Sequence, residues 1–382
     1  MARLLLERFL LCVAAVVLLI TGSVSTSCSG GGSKVAITGD TIPMRYSSLL
    51  TMVECDGYTV VDVENPWNAS MMQRYILVPK DSDISTELPE GVVIRTPLES
   101  AIIFSGVHAG LFEELGSAEC IKGVCDARYV YSESVVRGLA NGAVIDCGSS
   151  LDVDVERVLA VNAEAVFVLP YENGGYGKLE RVRVPLVECA DYMENSALGC
   201  AEWVRFYARI LGKGVWGDSI FNAVCNEYVS LKSQTSSIDK RPRLMCELKS
   251  GSAWYVPGGG STMGALYADA GADYIFASNN TSGSIPLSYE VMLDKASDAD
   301  VWLIKYNSPV DMTRASLTAD FKGYSYFRPF VEGNVYACNT ARKRVFEETA
   351  FHPERLLREL VSIFHPGLLS GYEPVYYEKM PE

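Results

Sequence analysis

Positive charge is scarce in this chain. Its 382 residues include 33 Lys and Arg against 47 Asp and Glu, and the formal net charge is −14 at pH 7. Proteins that bind nucleic acids need clustered basic side chains to displace counterions from the phosphates. The charge balance therefore argues against a nucleic-acid partner. With 48% hydrophobic residues, the chain also differs from disordered proteins and can bury one large core or two medium ones.

The sequence motifs of common catalytic and metal sites are also missing. There is no CxxC pair, no G-x-S-x-G and no H-E-x-x-H, and only three histidines are present. We therefore expect a protein that is not an enzyme and that has no cofactor and no bound metal. Residues 258–262 form a glycine-rich segment without the lysine of a P-loop, which argues against nucleotide binding, although its amides could hold a carboxylate.

The cysteines and histidines that are present fit structural roles. His108 lies in the apolar-rich segment 101–112, which favours a buried or rim histidine over a base or a ligand. His352 and His365 precede prolines at the ends of the last predicted helix, so we expect them to cap it. Four cysteines lie in apolar, strand-like runs, where a thiol serves as a small buried hydrophobic group: Cys147, Cys189, Cys246 and Cys338.

The first 34 residues have the pattern of a targeting signal followed by a tether. A short basic region precedes an apolar run over residues 9–20, which is too short for a membrane-spanning helix. Residues 25–28 (Ser-Thr-Ser-Cys) are similar to a lipobox, with serine in place of the usual leucine. The pattern predicts a signal peptide over 1–27, acylation of Cys28, and a lipid anchor and flexible tether over 28–34. Simple secretion is the alternative.

Short apolar runs alternate with helical stretches from Val92 onward. Continuous apolar strands between helices indicate a parallel sheet that is buried on both faces. Turn signals at Pro66-Trp67-Asn68 separate two strand-like pieces within residues 55–80, which predicts an added hairpin. We therefore expect an N-terminal α/β lobe over residues 35–200.

Helical periodicity replaces the strand pattern after residue 200. Apolar side chains recur at helical spacing at Trp203, Phe206, Tyr207, Ile210 and Leu211. This predicts a bridging helical segment over 201–240, followed by a C-terminal α/β lobe and terminal helix over 241–382. The predicted fold class is α/β, with two Rossmann-like lobes joined by a long bridging helix and a ligand cleft between the lobes.

One short pattern occurs in both halves of the chain. In residues 154–159 and again in 288–293, a capping residue opens a helix with a glutamate in its first turn, Glu156 or Glu290, and an apolar strand follows. The recurrence supports two related lobes. For each glutamate alone, a favourable interaction with the helix dipole is the simplest role.

The order of these features resembles the cobalamin, haem and ferric-siderophore type of periplasmic substrate-binding lipoprotein of ABC importers. In that family two α/β lobes are bridged by one long helix. The resemblance spans roughly residues 90–366 and is carried by segments 99–116, 153–169, 184–187, 211–213, 254–272, 288–303 and 352–366.

The resemblance implies a carrier that captures an iron compound, either a ferric siderophore or haem, or a corrinoid. Its partners would be an ABC permease with its ATPase subunits, and its location would be the periplasmic side of the inner membrane, held by the lipid anchor. In the family, a glutamate at this helix start in each lobe pairs with permease arginines, which implies docking through Glu156 and Glu290. An envelope lipoprotein enzyme such as a hydrolase, or a scavenging module without an importer, remains an alternative.

The loops that follow the predicted strands contain the candidate ligand-binding residues. Ligands of open α/β sheets bind at the carboxyl ends of the strands. Aromatic faces with a few arginines and amides suit a broad, partly anionic macrocycle or chelate, although each tyrosine alone could be an ordinary loop residue. The candidates are Arg95, Arg128, Tyr129, Tyr171, Tyr176, Trp254, Tyr255, Tyr306 and Asn307.

Overall fold

The computed structural model describes residues 35–83 and 87–382. The predicted signal peptide, Cys28 and the tether over 28–34 lie outside these residues. Within the described part, no helix combines the length and the apolar character that crossing a bilayer requires.

The described part of the chain begins with a sheet that is larger than the predicted hairpin. Its five strands follow the order of the sequence, and neighbouring strands are antiparallel except for the parallel last pair. The strands are β1 (Asp40–Ile42), β2 (Leu50–Cys55), β3 (Tyr58–Glu64), β4 (Met71–Pro79) and β5 (Val92–Thr96). The buried Tyr75 on β4 joins this sheet to the next, because its hydroxyl donates to the Leu186 carbonyl (3.1 Å) and accepts from the Glu188 amide (2.7 Å).

A parallel five-stranded sheet forms the core of the N-terminal lobe. Its order is β12-β11-β6-β7-β8, with helices in the crossovers and a short antiparallel β9–β10 ribbon before α3. The elements are β6 (Ala101–Ile103), α1 (Gly106–Glu114), β7 (Ile121–Val124), α2 (Glu133–Asn141), β8 (Ile145–Asp146), β9 (Gly148–Ser149), β10 (Asp152–Val153), α3 (Val155–Val161), β11 (Ala165–Val168) and β12 (Leu186–Glu188). All four residues of β11 are buried, as expected for a strand covered on both faces.

Three consecutive helices lead from this lobe to the next. They are α4 (Ala197–Glu202), α5 (Val204–Ile210) and α6 (Gly214–Ser236). Gly212 separates α5 from α6, and its φ of +68° is a conformation that glycine adopts without the steric cost of a side chain. Helix α6 has 23 residues and is therefore roughly 34 Å long. It is the bridging helix.

The C-terminal lobe repeats the parallel arrangement. Its main sheet has the order β16-β13-β18-β19-β20, in which only β20 is antiparallel, and a smaller antiparallel sheet has the order β14-β15-β17. The strands are β13 (Arg243–Cys246), β14 (Lys249–Ser250), β15 (Ala253–Pro257), β16 (Asp273–Tyr274), β17 (Ser284–Leu287), β18 (Val301–Tyr306), β19 (Val335–Asn339) and β20 (Glu378–Lys379). The helices are α7 (Thr262–Asp269), α8 (Tyr289–Ala296), α9 (Arg314–Asp320), α10 (Arg328–Glu332), α11 (Val345–Thr349) and α12 (Pro353–Phe364).

Short 3₁₀ helices complete the described part of the chain. They are Ala118–Cys120, Ala127–Tyr129, Gly177–Arg181, Asp191–Met193 and Lys322–Tyr326. The predicted fold class, two α/β lobes with parallel sheets and a long bridging helix, is confirmed. The residue limits given to each domain stay a prediction.

Candidate ligand-binding site

A cavity of about 440 Å³ lies at the carboxyl ends of the N-terminal strands. Phe104 and Ser105 follow β6, Leu169 and Pro170 follow β11, and Tyr192 comes shortly after β12. Because neighbouring parallel strands end at the same edge, segments distant in sequence meet here. Most of the wall is apolar or aromatic, and we call this space the N-lobe cavity.

Tyrosine rings form much of the wall of the N-lobe cavity. The hydroxyl of Tyr171 donates to the Gly175 carbonyl at 2.9 Å, and that of Tyr192 donates to the Pro170 carbonyl. The hydroxyl of Tyr176 donates to the carboxylate of Glu188. Burial raises the pKa of both Tyr176 and Tyr192. Because each hydroxyl already donates to an acceptor within the protein, the tyrosines offer a ligand mainly the apolar surface of their rings.

A second cavity of about 310 Å³ lies between residues of the two lobes. Ser105 and Val107 line both cavities, so the two spaces adjoin. The N-terminal lobe contributes Tyr129 to the wall, and the C-terminal lobe contributes Asn307. We call this space the interlobe cavity.

Two cationic side chains at the interlobe cavity were missed by the sequence prediction. Lys343 and Arg344 line this cavity; the Lys343 ammonium pairs with Glu378 at 2.7 Å, and the Arg344 guanidinium lies 3.9 Å from Glu133. A basic run shortly after the apolar strand β19 was the available signal. Glu347 also lines this cavity, so its wall contains both signs of charge, and a ligand carboxylate would compete with glutamates for the two cations.

Four of the predicted ligand-binding residues line these two cavities, and the others lie elsewhere. Tyr171 and Tyr176 line the N-lobe cavity, whereas Tyr129 and Asn307 line the interlobe cavity. The Arg128 guanidinium lies over the Tyr129 ring, 4.6 Å from its centre.

Three further candidates lie elsewhere in the fold. Tyr306 lines a separate cavity of about 280 Å³, where its hydroxyl accepts from the Met312 amide at 3.0 Å. Arg95 belongs to the N-terminal sheet, and its guanidinium donates to the carbonyls of Pro79 and Ser82 at 3.1 and 3.3 Å. Tyr255 lies half-exposed on the small antiparallel sheet.

Trp254 is a correction to the predicted site. Its side chain is fully buried, its indole N–H donates to the Cys246 carbonyl at 3.0 Å, and its ring packs on Trp302 with centroids 5.7 Å apart. Successive residues of a strand point to opposite faces, so Trp254 enters the core while Tyr255 points outward. Trp254 is therefore a core residue, and the prediction that it contacts a ligand is wrong.

Other backbone segments pack closely against the glycine-rich segment 258–262. A Cβ on Gly258 would lie 2.1 Å from the Thr281 carbonyl oxygen, so only glycine fits this close approach. The Gly258 amide donates to the Gly283 carbonyl, and the Gly260 amide donates to the Asn279 carbonyl. These two amides are therefore not available to a carboxylate, and carboxylate binding by the rest of the segment stays a prediction.

A buried polar cluster lies beside the N-lobe cavity. The His108 Nε2 lies 3.0 Å from the Asp191 Oδ1, and the Tyr207 hydroxyl donates to the same oxygen at 2.6 Å. The Cys189 thiol completes the cluster, in which the potential ligand atoms of His108, Cys189 and Asp191 all lie within 4.8 Å of one another. His108 and Asp191 line the cavity.

His108 and Cys189 both have shifted pKa values. Burial alone would lower the pKa of His108, but the adjacent Cys189 and Asp191 raise it well above its ordinary value. Burial raises the pKa of the Cys189 thiol, although His108 acts in the opposite direction. The raised pKa disfavours the thiolate form of Cys189, so this thiol is a poor nucleophile.

The two recurring glutamates occupy equivalent helix starts. Asp154 caps α3 by accepting from the Arg157 amide at 3.1 Å, and Ser288 caps α8 by accepting from the Val291 amide at 3.3 Å. Glu156 and Glu290 stand exposed in the first turns. The pKa of Glu290 is lowered mainly by a hydrogen bond from its own backbone amide and to a smaller extent by one from the Ser288 side chain.

Each of these helices is followed by a core parallel strand, β11 after α3 and β18 after α8. Exposed apolar side chains lie close by in sequence, with Leu159 in one lobe and Val291 in the other.

The fold and the facing strand ends define a two-lobed binding protein. The sequence model of the periplasmic binding protein family matches residues 110–323, and the chain belongs to that family. An uncharacterized lipoprotein of Methanocaldococcus jannaschii is 25% identical over 362 residues, which covers 88% of this chain and 85% of that protein.

Three solved structures of similar fold are a TroA-like binding protein, a haem-binding protein and a vitamin B12-binding protein. The TroA-like periplasmic binding protein FepB of Veillonella parvula has a TM-score of 0.57 at 17% identity and covers 76% of this chain and 97% of its own. A periplasmic haem-binding protein of Pseudomonas aeruginosa has a TM-score of 0.57 at 14% identity, covering 74% and 98%. The periplasmic vitamin B12-binding protein BtuF of Vibrio cholerae has a TM-score of 0.51 at 12% identity, covering 70% and 96%. At these identities the likeness shows the fold alone.

Proposed function

We propose that this protein is the substrate-binding lipoprotein of an ABC importer. It captures an iron compound, either a ferric siderophore or haem, or a corrinoid, and delivers it to a membrane permease with its ATPase subunits. The observation that carries the proposal is the aromatic N-lobe cavity, which adjoins an interlobe cavity with cations at its rim.

The chemistry of the two cavities supports a broad ligand with both apolar and anionic parts. The rings of Tyr171 and Tyr176 offer flat apolar contact area. Lys343 and Arg344 offer positive charge at the adjoining rim. Haem, corrinoids and aromatic ferric chelates combine extended rings with carboxylates or polar substituents, and similar folds include carriers described for haem and vitamin B12.

A carrier is better supported than a hydrolase. Cys200 lines the N-lobe cavity and Cys189 lies beside His108, and burial raises the pKa of both thiols, which disfavours the thiolate that cysteine-based catalysis needs. Glu156 and Glu290, exposed on both lobes, support a carrier that docks on a permease over a scavenging module.

The anchor belongs to the same proposal. Acylation of Cys28 would hold the carrier on the periplasmic side of the inner membrane, and the lipoprotein name of the archaeal relative supports an anchored form. Under this proposal, Cys28→Ser releases the protein from carbonate-washed membranes. A variant that stays bound would contradict the acyl anchor.

Ligand capture can be tested by mass spectrometry and titration. Gently purified protein should retain one equivalent of an iron chelate, haem or corrinoid, and after stripping it should rebind that compound and return it unchanged. Tyr171→Ala should weaken binding about tenfold or more, because it removes an aromatic surface that the bound ligand would cover, and a loss of about 1.4 kcal/mol corresponds to tenfold.

Tyr255→Ala is the matched control, because Tyr255 is exposed to a similar degree (50% for each tyrosine) but lies on the small antiparallel sheet. Its binding should equal that of the wild type. Conversion of the ligand into a product, or equal binding by both variants, would contradict the proposed role of the cavity.

A further inference from the structure

Three residues with metal-binding side chains converge beneath the N-lobe cavity. Cys189 directly follows β12, Asp191 opens the next 3₁₀ helix, and His108 lies on α1. Strands β12 and β6 are separated in the sheet by β11 alone, so their carboxyl ends bring these side chains together. All three residues are buried, at 2% exposure for His108, 0% for Cys189 and 3% for Asp191.

We propose that His108, Cys189 and Asp191 form a binding site for a first-row divalent transition-metal ion of the zinc class. Imidazole nitrogen, thiolate sulfur and carboxylate oxygen are the ligands that such ions take in proteins, at bond lengths of about 2.0 to 2.3 Å. At these lengths, ligand atoms of a tetrahedral site lie roughly 3.5 Å apart. The three candidate atoms already lie within 4.8 Å of one another, so side-chain shifts of about 1 Å would close the site.

Charge balance selects a divalent ion. Metal binding needs a thiolate, a carboxylate and a ring nitrogen free of its proton, so any protons on these ligand atoms leave to solvent when the ion enters. The thiolate and the carboxylate then carry two negative charges, which a divalent cation neutralises. The site is therefore neutral with metal bound, which matters because an uncompensated buried charge is costly.

The surroundings of the cluster match the supporting shell of a metal site. The Tyr207 hydroxyl donates to the Asp191 carboxylate at 2.6 Å and orients it. The His108 ring packs edge-on against Tyr207 with centroids 5.2 Å apart, and Phe351 lies 5.9 Å away. These rings hold the imidazole in place and exclude water.

The fourth coordination position of the proposed metal site would point toward the N-lobe cavity. His108 and Asp191 line the N-lobe cavity, whereas Cys189 lies behind them. A tetrahedral ion with three protein ligands keeps one position for water or an exogenous ligand. That position would face the cavity, where a donor atom of a small molecule could occupy it. The site does not depend on which cargo the protein carries.

The proposal can be tested by titrating tag-free protein, stripped with chelator and free of cargo, with Zn²⁺ or Co²⁺. We expect one equivalent of Zn²⁺ by calorimetry, the release of protons, and a higher Tm, because an ion that binds only the folded state stabilises it. Co²⁺ should give the visible bands of a tetrahedral ion and a thiolate-to-cobalt charge-transfer band. The cobalt spectrum of the wild-type protein reports thiolate coordination without any substitution.

Variants assign the ligands. Cys189→Ser should abolish the charge-transfer band, and His108→Gln should weaken binding more than about tenfold, because loss of a supporting partner alone costs 10 to 100-fold. Tyr207→Phe should retain the band with an affinity lowered within that range. Cys246→Ser is the control, since Cys246 is equally buried at the end of β13 in the other lobe.

Either of two results would overturn the proposal. One is a wild-type protein that takes up no stoichiometric Zn²⁺ and shows no charge-transfer band with Co²⁺. The other is a band that persists in Cys189→Ser. In both cases His108 and Asp191 would form an ion pair only, and cargo binding, which is measured separately with Tyr171→Ala, would be unaffected by that conclusion.

Discussion

At the scale of single residues, buried carboxylates accept hydrogen bonds from loop amides that no helix or strand satisfies. Glu202 is fully buried at the end of α4, and its carboxylate accepts from the backbone amides of Arg45, Tyr46 and Ser47 at 2.7 to 3.0 Å. The Arg205 guanidinium donates to the same carboxylate at 3.1 Å. Glu202 therefore fastens the loop between β1 and β2 to the helices that precede the bridge.

Glu202→Gln tests this role. The amide keeps one carbonyl acceptor but loses the charge and turns an N–H₂ group toward backbone donors, so we expect the free energy of unfolding to fall by about 2 to 3 kcal/mol. Urea denaturation followed by circular dichroism measures the change. The control is Glu227→Gln, whose partly exposed ion pair with Arg358 should contribute less than about 1 kcal/mol. Equal losses in the two variants would refute the assignment.

Single residues also show what could not be predicted from the sequence. Adjacent aromatics such as Trp254 and Tyr255 satisfy the same composition rule, and only the strand's orientation relative to the core decides which one is buried. His108 and Cys189 were each assigned a structural role because nothing local connects them. Their proximity arises from the order of strands in the sheet, which local sequence patterns do not encode.

At the scale of elements, His352 links two helices instead of capping one. It precedes α12 as expected, but its side chain makes no capping bond. Its ring nitrogens bond the carboxylates of Glu114 at the end of α1 (2.8 Å) and Glu354 in the first turn of α12 (2.9 Å). Burial alone would lower the pKa of His352, but these hydrogen bonds raise it to about 9.

The raised pKa of His352 predicts how the stability of the protein depends on pH. Below pH 6.5 the imidazole is protonated in both the folded and unfolded chains and the ion pairs contribute fully; as pH rises through about 9, the folded state loses them. We expect the wild type to be more stable than His352→Gln by about 3 kcal/mol at pH 6, and this difference should shrink toward zero by pH 10. Urea unfolding at both pH values measures it.

His365 is the matched control for this element. It follows α12, and burial lowers its pKa, with its ring bonded to the Gly271 carbonyl at 3.1 Å. A lowered pKa affects stability below pH 6.5, so His365→Gln should show a constant difference from the wild type between pH 7 and 10. If His352→Gln showed the same constant difference, the linkage between α1 and α12 would not depend on charge.

Elements were predictable to the extent that local pattern specifies them. Apolar runs identified β11 and β18, and helical spacing identified the region that leads into α6. The N-terminal sheet was only partly foreseen, because β5 pairs in parallel with β4 across a loop and nothing local to either strand specifies that partner. The interlobe cations were missed for a related reason, since Lys343 and Arg344 lie a few residues beyond a strand end and not directly at it.

At the scale of the whole molecule, the two lobes present equivalent carboxylates. Glu156 and Glu290 lie in the first turns of capped helices, and a core parallel strand follows each helix. A permease that recognises empty and loaded carriers needs contacts on both lobes. Rigid helix starts hold such contacts at a spacing set by the fold. An acidic carrier also approaches a basic permease surface faster, and this steering weakens as salt screens the charges.

Reversing both charges separates docking from ligand capture. Glu156→Arg with Glu290→Arg should leave folding and ligand affinity nearly unchanged, because exposed carboxylates contribute little to stability. Uptake into vesicles that contain the cognate permease should fall sharply, with a partial loss for each single reversal and a weaker salt dependence in the residual uptake. Glu119→Arg, the reversal of an exposed carboxylate just before the amino end of β7, controls for net charge. Normal transport by the double variant would return both glutamates to a helix-end role, whereas loss of ligand binding would assign them to the pocket.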